Sequence, residues 1–181
     1  VSEEIAAAGG ATTTHACDIR DEEHVCATVD AILAAHGRID GLVNNAGGQF
    51  PSPLRDISLK GWEAVVRTNL TGGFLVAREC YRRWMEKHGG AIVNMSADMW
   101  GGMPGMAHSG AARAGMVNFT ESAACEWAAS GVRVNAVAPG IVDSPMTAAA
   151  YDAARRKAVC ETIPLGRFGA PEDVARVILF L

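Results

Sequence analysis

SADMWGGMPGMAHSGAARAG, residues 96–115, joins a strand to a helix. The apolar run Ala91-Ile92-Val93-Asn94-Met95 ends where it begins. A loop rich in glycine, methionine and proline follows, then a helix of small residues that the pattern carries on to Ala129. A strand, a loop over its carboxyl end and a returning helix are the unit from which open α/β sheets build ligand sites. Ser109 and Arg113 stand four apart, so they share one helical face. Gly110, Ala111, Ala112, Ala114 and Gly115 add almost no bulk around them, so a ligand or a second helix can come close.

The flanking sequence repeats the same alternation. Asp21 to His36 has the apolar spacing of an amphipathic helix, with Val25, Val29, Ile32 and Leu33 inward, Asp21 as N-cap and Gly37 as stop. Ile39 to Asn45 (IDGLVNN) reads as a strand, and Asn44-Asn45-Ala46-Gly47 as a small, amide-rich turn at its carboxyl end. Gly48-Gln49-Phe50-Pro51 continues as a loop over the same end. The Gln49 amide there either donates to a carbonyl oxygen or sits in solvent. Ser58 caps a helix that runs to His88, with Trp62, Val65, Val66, Leu70, Phe74 and Leu75 inward and Gly89-Gly90 ending it. Asn69 falls on that apolar face and needs a polar partner. Val132 to Ala138 is a further strand, leading to Pro139-Gly140-Ile141-Val142-Asp143-Ser144. Ala148 to Glu161 reads as one helix over the substrate, and Pro171 with Glu172 and Asp173 opens the last helix. At the other end, Val1 to Ala8 reads as the end of a helix, so the chain is expected to begin in mid-protein. Ala11 to Cys17 is a short β-prone run that ends at Asp18-Ile19.

The 181 residues suit one domain with a substantial core. A net charge of −4 with scattered basic residues gives no reason to expect a nucleic-acid or anionic-membrane partner. Apolar runs are too short to span a bilayer. The five cysteines form no C-x-x-C pair, and metal ligation is not expected. Reduced thiols in a cytoplasmic protein are the simplest reading.

Taken with Asn44-Asn45-Ala46-Gly47, Asn69 and Pro139-Gly140, the stretch at 96–115 resembles the short-chain dehydrogenase/reductase superfamily. The resemblance runs from Asp18 onward and implies a Rossmann-like doubly wound parallel sheet with helices on both faces, as one partial NAD(P)-binding domain over residues 1–181. In that family the helix carries Tyr and, four residues later, Lys. Ser109 and Arg113 stand at those positions. The phrase from His108 to Gly115, with Gly47-Gly48-Gln49-Phe50, is similar to the peroxisomal trans-2-enoyl-CoA reductase branch. The related 2,4-dienoyl-CoA reductases also put Ser at the Tyr position but keep the Lys.

The resemblance implies roles. Asp18 and Ile19 would meet the adenine end of the dinucleotide, and Asn45, Ala46 and Gly47 its ribose or nicotinamide. Pro139, Gly140, Val142 and Ser144 would meet the nicotinamide amide or a phosphate, and Arg113 would hold the nicotinamide ribose. Asn69 would hold a water in a proton relay. Ser96, thirteen residues before Ser109, would be the catalytic serine, although Ala97 takes the neighbouring alignment. The branch favours NADPH, with NAD possible. The family's T-G-x-x-x-G-x-G phosphate turn does not occur before Asp18.

Carbonyl reduction needs an acid, which Tyr beside Lys provides because the cation lowers the phenol from about 10 toward neutrality. Ser is a far weaker acid, and Arg stays charged. Enoyl-thioester reduction needs donors for an enolate oxygen instead. Ser109, Gln49 and His108 can supply them, and the α-carbon proton would come from water or His108. The expected function is therefore reduction of a trans-2-enoyl-CoA. The alternatives are an alcohol or ketone dehydrogenase-reductase of the same superfamily, or a catalytically weak dinucleotide-binding scaffold. Partners are expected to be an acyl-CoA substrate and further copies of the chain, as homodimer or homotetramer. Small residues (Gly72, Gly73, Ala77; Ala111, Ala114, Ala123) would give its long helices close contact with partner copies. Two family strands would lie between residues 11–17 and the next strand, a gap of roughly 14 Å. The strands at 39–45, 91–95 and 132–138 should therefore form one parallel sheet, with residues 11–17 standing apart.

Overall fold

The computed structural model describes residues 1–181. Its sheet follows chain order: β1 (Gly41–Asn44), β2 (Gly90–Met95) and β3 (Val132–Val137), all parallel. Gly41 lies opposite Ala91, and Gly90 opposite Val132. Helices α1 (Ser2–Ala7) and α2 (Glu22–His36) precede β1. Helix α3, residues 59–88, connects β1 to β2, and α4 (Ala107–Trp127) connects β2 to β3. Helices α5 (Pro145–Ala150), α6 (Ala153–Thr162) and α7 (Pro171–Phe180) follow. Parallel strands need such crossovers, and helices lie on both sides of the sheet, giving the Rossmann-like α/β arrangement.

The central strand β2 is buried on both faces, with Ile92 on one and Val93 on the other; Val132 and Val134 bury one face of β3, while Arg133 between them is exposed. Ile92, Val132 and Val134 share one core with Val25 and Val29 of α2, Leu75, Cys80 and Met85 of α3 and Ala123 of α4. Burying a side chain of the larger sizes contributes about 1.5–3 kcal/mol. The caps fall where the sequence puts them. Asp21 accepts from the N–H groups of Glu23 and His24, and Ser58 from that of Gly61. Gly37 (φ 71°) and Gly89 (φ 72°) end their helices in the left-handed region that glycine enters without strain.

Residues 11–17 join no strand, so the β-prone run stands apart from the sheet but forms no ladder of its own. Helix α3 departs from a simple 3.6-residue pattern at two π-helical turns, Arg67–Thr71 and Tyr81–Met85. Each turn adds a residue and rotates the face after it. Phe74, expected inward, is therefore exposed, while Gly73 and Ala77 are buried. The single helix expected over residues 148–161 is two, because Asp152 caps the second one through Arg155 N–H at 2.8 Å. Of the small residues assigned to partner contact, Gly72, Gly73, Ala77 and Ala123 are buried within the chain. Gly73 leaves room for Met116 of α4, so these residues serve internal packing.

A charged ladder ties α2 to α3. Glu79 is buried between Arg83 (3.0 Å), Arg78 (2.9 Å) and Arg82 (3.5 Å). Arg78 also pairs with Glu22, and Arg83 with Asp30. Burial alone would raise the Glu79 carboxyl, but hydrogen bonds from Arg83 and Arg78 outweigh it and hold it below the usual range. A depressed carboxyl adds stability that is present above its unfolded value and lost as pH falls through the folded one. Glu79→Gln is expected to cost about 2 kcal/mol at pH 7 and progressively less below pH about 4. Urea midpoints of the two proteins across that range check this.

Candidate active site

The carboxyl ends of β1 and β2, the π turn of α3 and the first turns of α4 converge on one cleft. It encloses about 120 Å³ and is lined by Ile19, Asn45, Ala46, Asn69, Arg113 and Met116 among others. A wider polar groove lies elsewhere, between α2 and α3. Asp18 borders that groove and not the cleft, with its carboxylate forked by Arg20 at 2.8 and 2.7 Å. Those hydrogen bonds hold the carboxyl well below its ordinary range. Asp18 opens a turn through its hydrogen bond from Arg20 N–H, and Ile19 alone of the two lines the cleft.

The Arg67–Thr71 turn sets Asn69 into the cleft wall, 2% exposed. Its side chain takes both backbone groups of Gly48: the Gly48 N–H donates to Oδ1 at 2.8 Å, and Nδ2 donates to Gly48 O at 2.9 Å. This satisfies the buried amide and pins the loop that carries Gln49. Gly47 must lack a side chain, since a Cβ there would stand 2.6 Å from Arg113 Nη2 and 2.9 Å from Asn69 Oδ1.

Ser109 is fully buried, and its Oγ donates to Gln49 Oε1 at 2.5 Å. The Gln49 NH₂ group makes no hydrogen bond within the chain and remains an available donor. One turn along α4, Arg113 donates from Nη1 to Met95 O at 2.5 Å. No carboxylate pairs with this half-buried guanidinium, and burial lowers it below its ordinary value without an opposing charge. His108 has no exposed surface; its Nδ1 accepts from the Ser109 N–H at 2.9 Å, and its ring stands edge-on to Phe50 at 4.5 Å.

The other expected residues make contacts within the chain. Ser96 is buried and donates to Arg113 O at 3.2 Å, so it anchors α4 and makes no hydrogen bond to Ser109. Ser144 caps α5 in a reciprocal pair with Thr147, at 3.2 and 2.8 Å. Its oxygen accepts the Thr147 N–H as the N-cap of α5. Pro139 O accepts from Asp98 N–H at 3.2 Å, Val142 bridges to Gly169, and Gly140 is exposed.

Sequence reading missed a buried amide chain behind the cleft. Asn44 Nδ2 donates to Asn94 Oδ1 (2.8 Å) and Gly73 O (3.0 Å), and Asn94 Nδ2 donates to Thr120 Oγ1 (2.9 Å). It locks β1, β2, α3 and α4 together. The polar Asn94 inside the apolar run 91–95 was its one signal.

A family model described as Enoyl-(Acyl carrier protein) reductase matches residues 1–181. The chain belongs to the short-chain dehydrogenase/reductase family. Among curated relatives it is 39% identical over 173 residues to the 3-oxoacyl-[acyl-carrier-protein] reductase FabG of Thermotoga maritima, covering 95% of this chain and 70% of that protein. It is 36% identical over 170 residues to a probable 2,4-dienoyl-CoA reductase of Bacillus subtilis, covering 91% and 66%. Of solved structures, the citronellol catabolism dehydrogenase AtuB of Pseudomonas aeruginosa PAO1 is 58% identical, with a TM-score of 0.87 over 99% of this chain and 70% of that one. ElxO with NADP bound is 29% identical, with a TM-score of 0.86 over 93% and 70%. The chain thus spans about two thirds of the length of these family members. It is an oxidoreductase domain of this family, and no helix in it is long and apolar enough to cross a membrane.

The observation in the cleft that suits a nicotinamide dinucleotide is Arg113, a half-buried cation with no carboxylate partner, which an oxygen-rich ribose or phosphate would satisfy.

Proposed function

We propose that the protein reduces the conjugated double bond of an enoyl thioester without an acid of the Tyr–Lys kind, with NADPH as reductant and NAD as the less favoured cofactor. The observation that carries this is the Ser109–Gln49 contact of 2.5 Å at the family's acid position. It presents hydrogen-bond donors where a carbonyl reductase needs an acid. When bound, the nicotinamide supplies a hydride to the β-carbon. Ile19, Asn45, Ala46 and Gly47 would bind it, Arg113 would hold its ribose, and Asp18 would meet the adenine. Gln49, oriented by Ser109, donates to the thioester oxygen as negative charge collects there. Water protonates the α-carbon. Asn69 holds the Gly48–Gln49 loop in register. The family model's description and the dienoyl-CoA reductase relative support the substrate class, and the NADP-bound structure supports the cofactor.

Phe50, Met103 and Met106 give the surrounding loops apolar side chains, and Ser52 N–H ties the two loops by donating to Gly105 O at 2.7 Å. An apolar acyl chain suits that wall. Ala111 and Ala114 keep an exposed stripe of α4 narrow enough for contact with a second copy, as homodimer or homotetramer. Five free thiols suit the reducing cytoplasm.

The 58% identity to a citronellol catabolism dehydrogenase favours a second reading, oxidation of an apolar alcohol. Initial rates with the full-length protein separate the two. NADPH consumption on a trans-2-enoyl-CoA, with no NADP⁺ reduction on citronellol, is expected. The reverse pattern selects the alcohol.

A further inference from the structure

His108 Nε2 is the one buried side-chain nitrogen or oxygen in the chain with no hydrogen-bond partner. Such an orphan costs stability, so it calls for an explanation. Its tautomer is fixed by a neighbour. The Ser109 N–H donates to Nδ1 at 2.9 Å, so Nδ1 bears no proton and the hydrogen sits on Nε2. The ring is held as an uncharged N–H donor with nothing to donate to. The Phe50 ring beside it, at 4.5 Å and 88°, offers only a weak aromatic acceptor. Gln49 and Ser109, the residues next to Phe50 and His108 in sequence, are the pair in hydrogen-bond contact.

We infer that His108 Nε2–H is a second donor to the substrate's carbonyl oxygen, completing with the Gln49 amide a two-donor hole for the enolate. This rests on the enoyl-thioester reading and deepens it. The Ser109 hydroxyl hydrogen is spent on Gln49 Oε1, so the two N–H groups carry the charge that builds on oxygen. A bound reduced nicotinamide would supply the hydride for the new C–H bond at the β-carbon. The π electrons move to the thioester oxygen, and its collapse takes a proton from water at the α-carbon. His108 keeps its proton throughout, since losing it would leave an imidazolate. Phe50, 40% exposed on a loop, is the side chain that swings aside for the oxygen to reach Nε2. Donors aimed at an oxygen that becomes charged act more strongly in the transition state than in the ground state, and they need no rearrangement when the charge appears.

The test compares His108→Leu and His108→Gln in the full-length protein, measuring kcat and KM for a trans-2-enoyl-CoA at saturating NADPH and the thermal midpoint of each. Leu removes the donor and also the orphan. Its kcat should fall about 100-fold while the midpoint holds or rises. Gln carries an N–H at a similar reach and should recover at least about tenfold of that loss. A Leu variant within about threefold of wild-type kcat overturns the assignment. So does an equal loss in both variants with lowered midpoints, which is the behaviour of a packing residue. Failure of the reaction itself looks different, because wild type would then turn over no enoyl thioester at all.

Discussion

Arg113→Met is expected to lower kcat/KM for the proposed NADPH-dependent enoyl-thioester reduction by about 10²–10³-fold and to leave the protein folded. The guanidinium is half-buried, bonded only to Met95 O within the chain, and paired with no carboxylate. A desolvated cation without a counter-charge is costly in the free protein. It is repaid when a ligand brings oxygen atoms to it. Methionine fills similar space without the charge, so the apo protein should unfold no earlier than wild type while cofactor affinity falls. Arg113→Lys keeps the charge but presents a single ammonium where a planar fork stood, and should fall between the two. Cofactor titration by fluorescence, thermal melts and steady-state rates check all three. A Met variant that binds NADPH as wild type does would remove Arg113 from the site.

Asn69→Leu has the second-largest effect and acts differently, through position. Two hydrogen bonds to Gly48 disappear, and the freed loop carries Gln49. Loss of the pair is expected to cost about 2–3 kcal/mol of stability and to lower kcat by about 10–100-fold. Asn69→Asp sharpens the comparison. A carboxylate still accepts from Gly48 N–H but cannot donate to Gly48 O, so the variant should recover little. Urea unfolding and kcat measured on both proteins test this.

Much of this arrangement was legible from residue type and spacing, because its causes are local. Asp21, Ser58, Gly37 and Gly89 cap and stop helices through atoms a few residues away. Ser109 and Arg113 share a face because the helix period requires it. The apolar runs at 41–44, 90–95 and 132–137 pair in parallel because each is followed by a crossover helix. What escaped depends on contacts between distant elements. The π turn at Arg67–Thr71 is invisible to a periodic reading, which puts Phe74 inward. The contacts of Ser96 to the backbone of α4 and of Ser144 to the first turn of α5 are likewise set by packing and carry no signal in the spacing. The Asn44–Asn94–Thr120 chain joins three elements, and the sequence signals that meeting only through a polar Asn94 in an apolar run. The orphan at His108 is likewise a property of packing, since the sequence shows only a histidine beside a serine.

The fate of the transferred hydrogen tests the central claim most directly. The full-length protein is supplied with NADPH deuterated on the transferring face and a trans-2-enoyl-CoA in ordinary water, and the product is read by NMR. Donor-based reduction predicts one deuterium on the β-carbon, solvent hydrogen on the α-carbon and an intact thioester. Deuterium on a carbinol carbon, or a double bond left unreduced, would contradict the account.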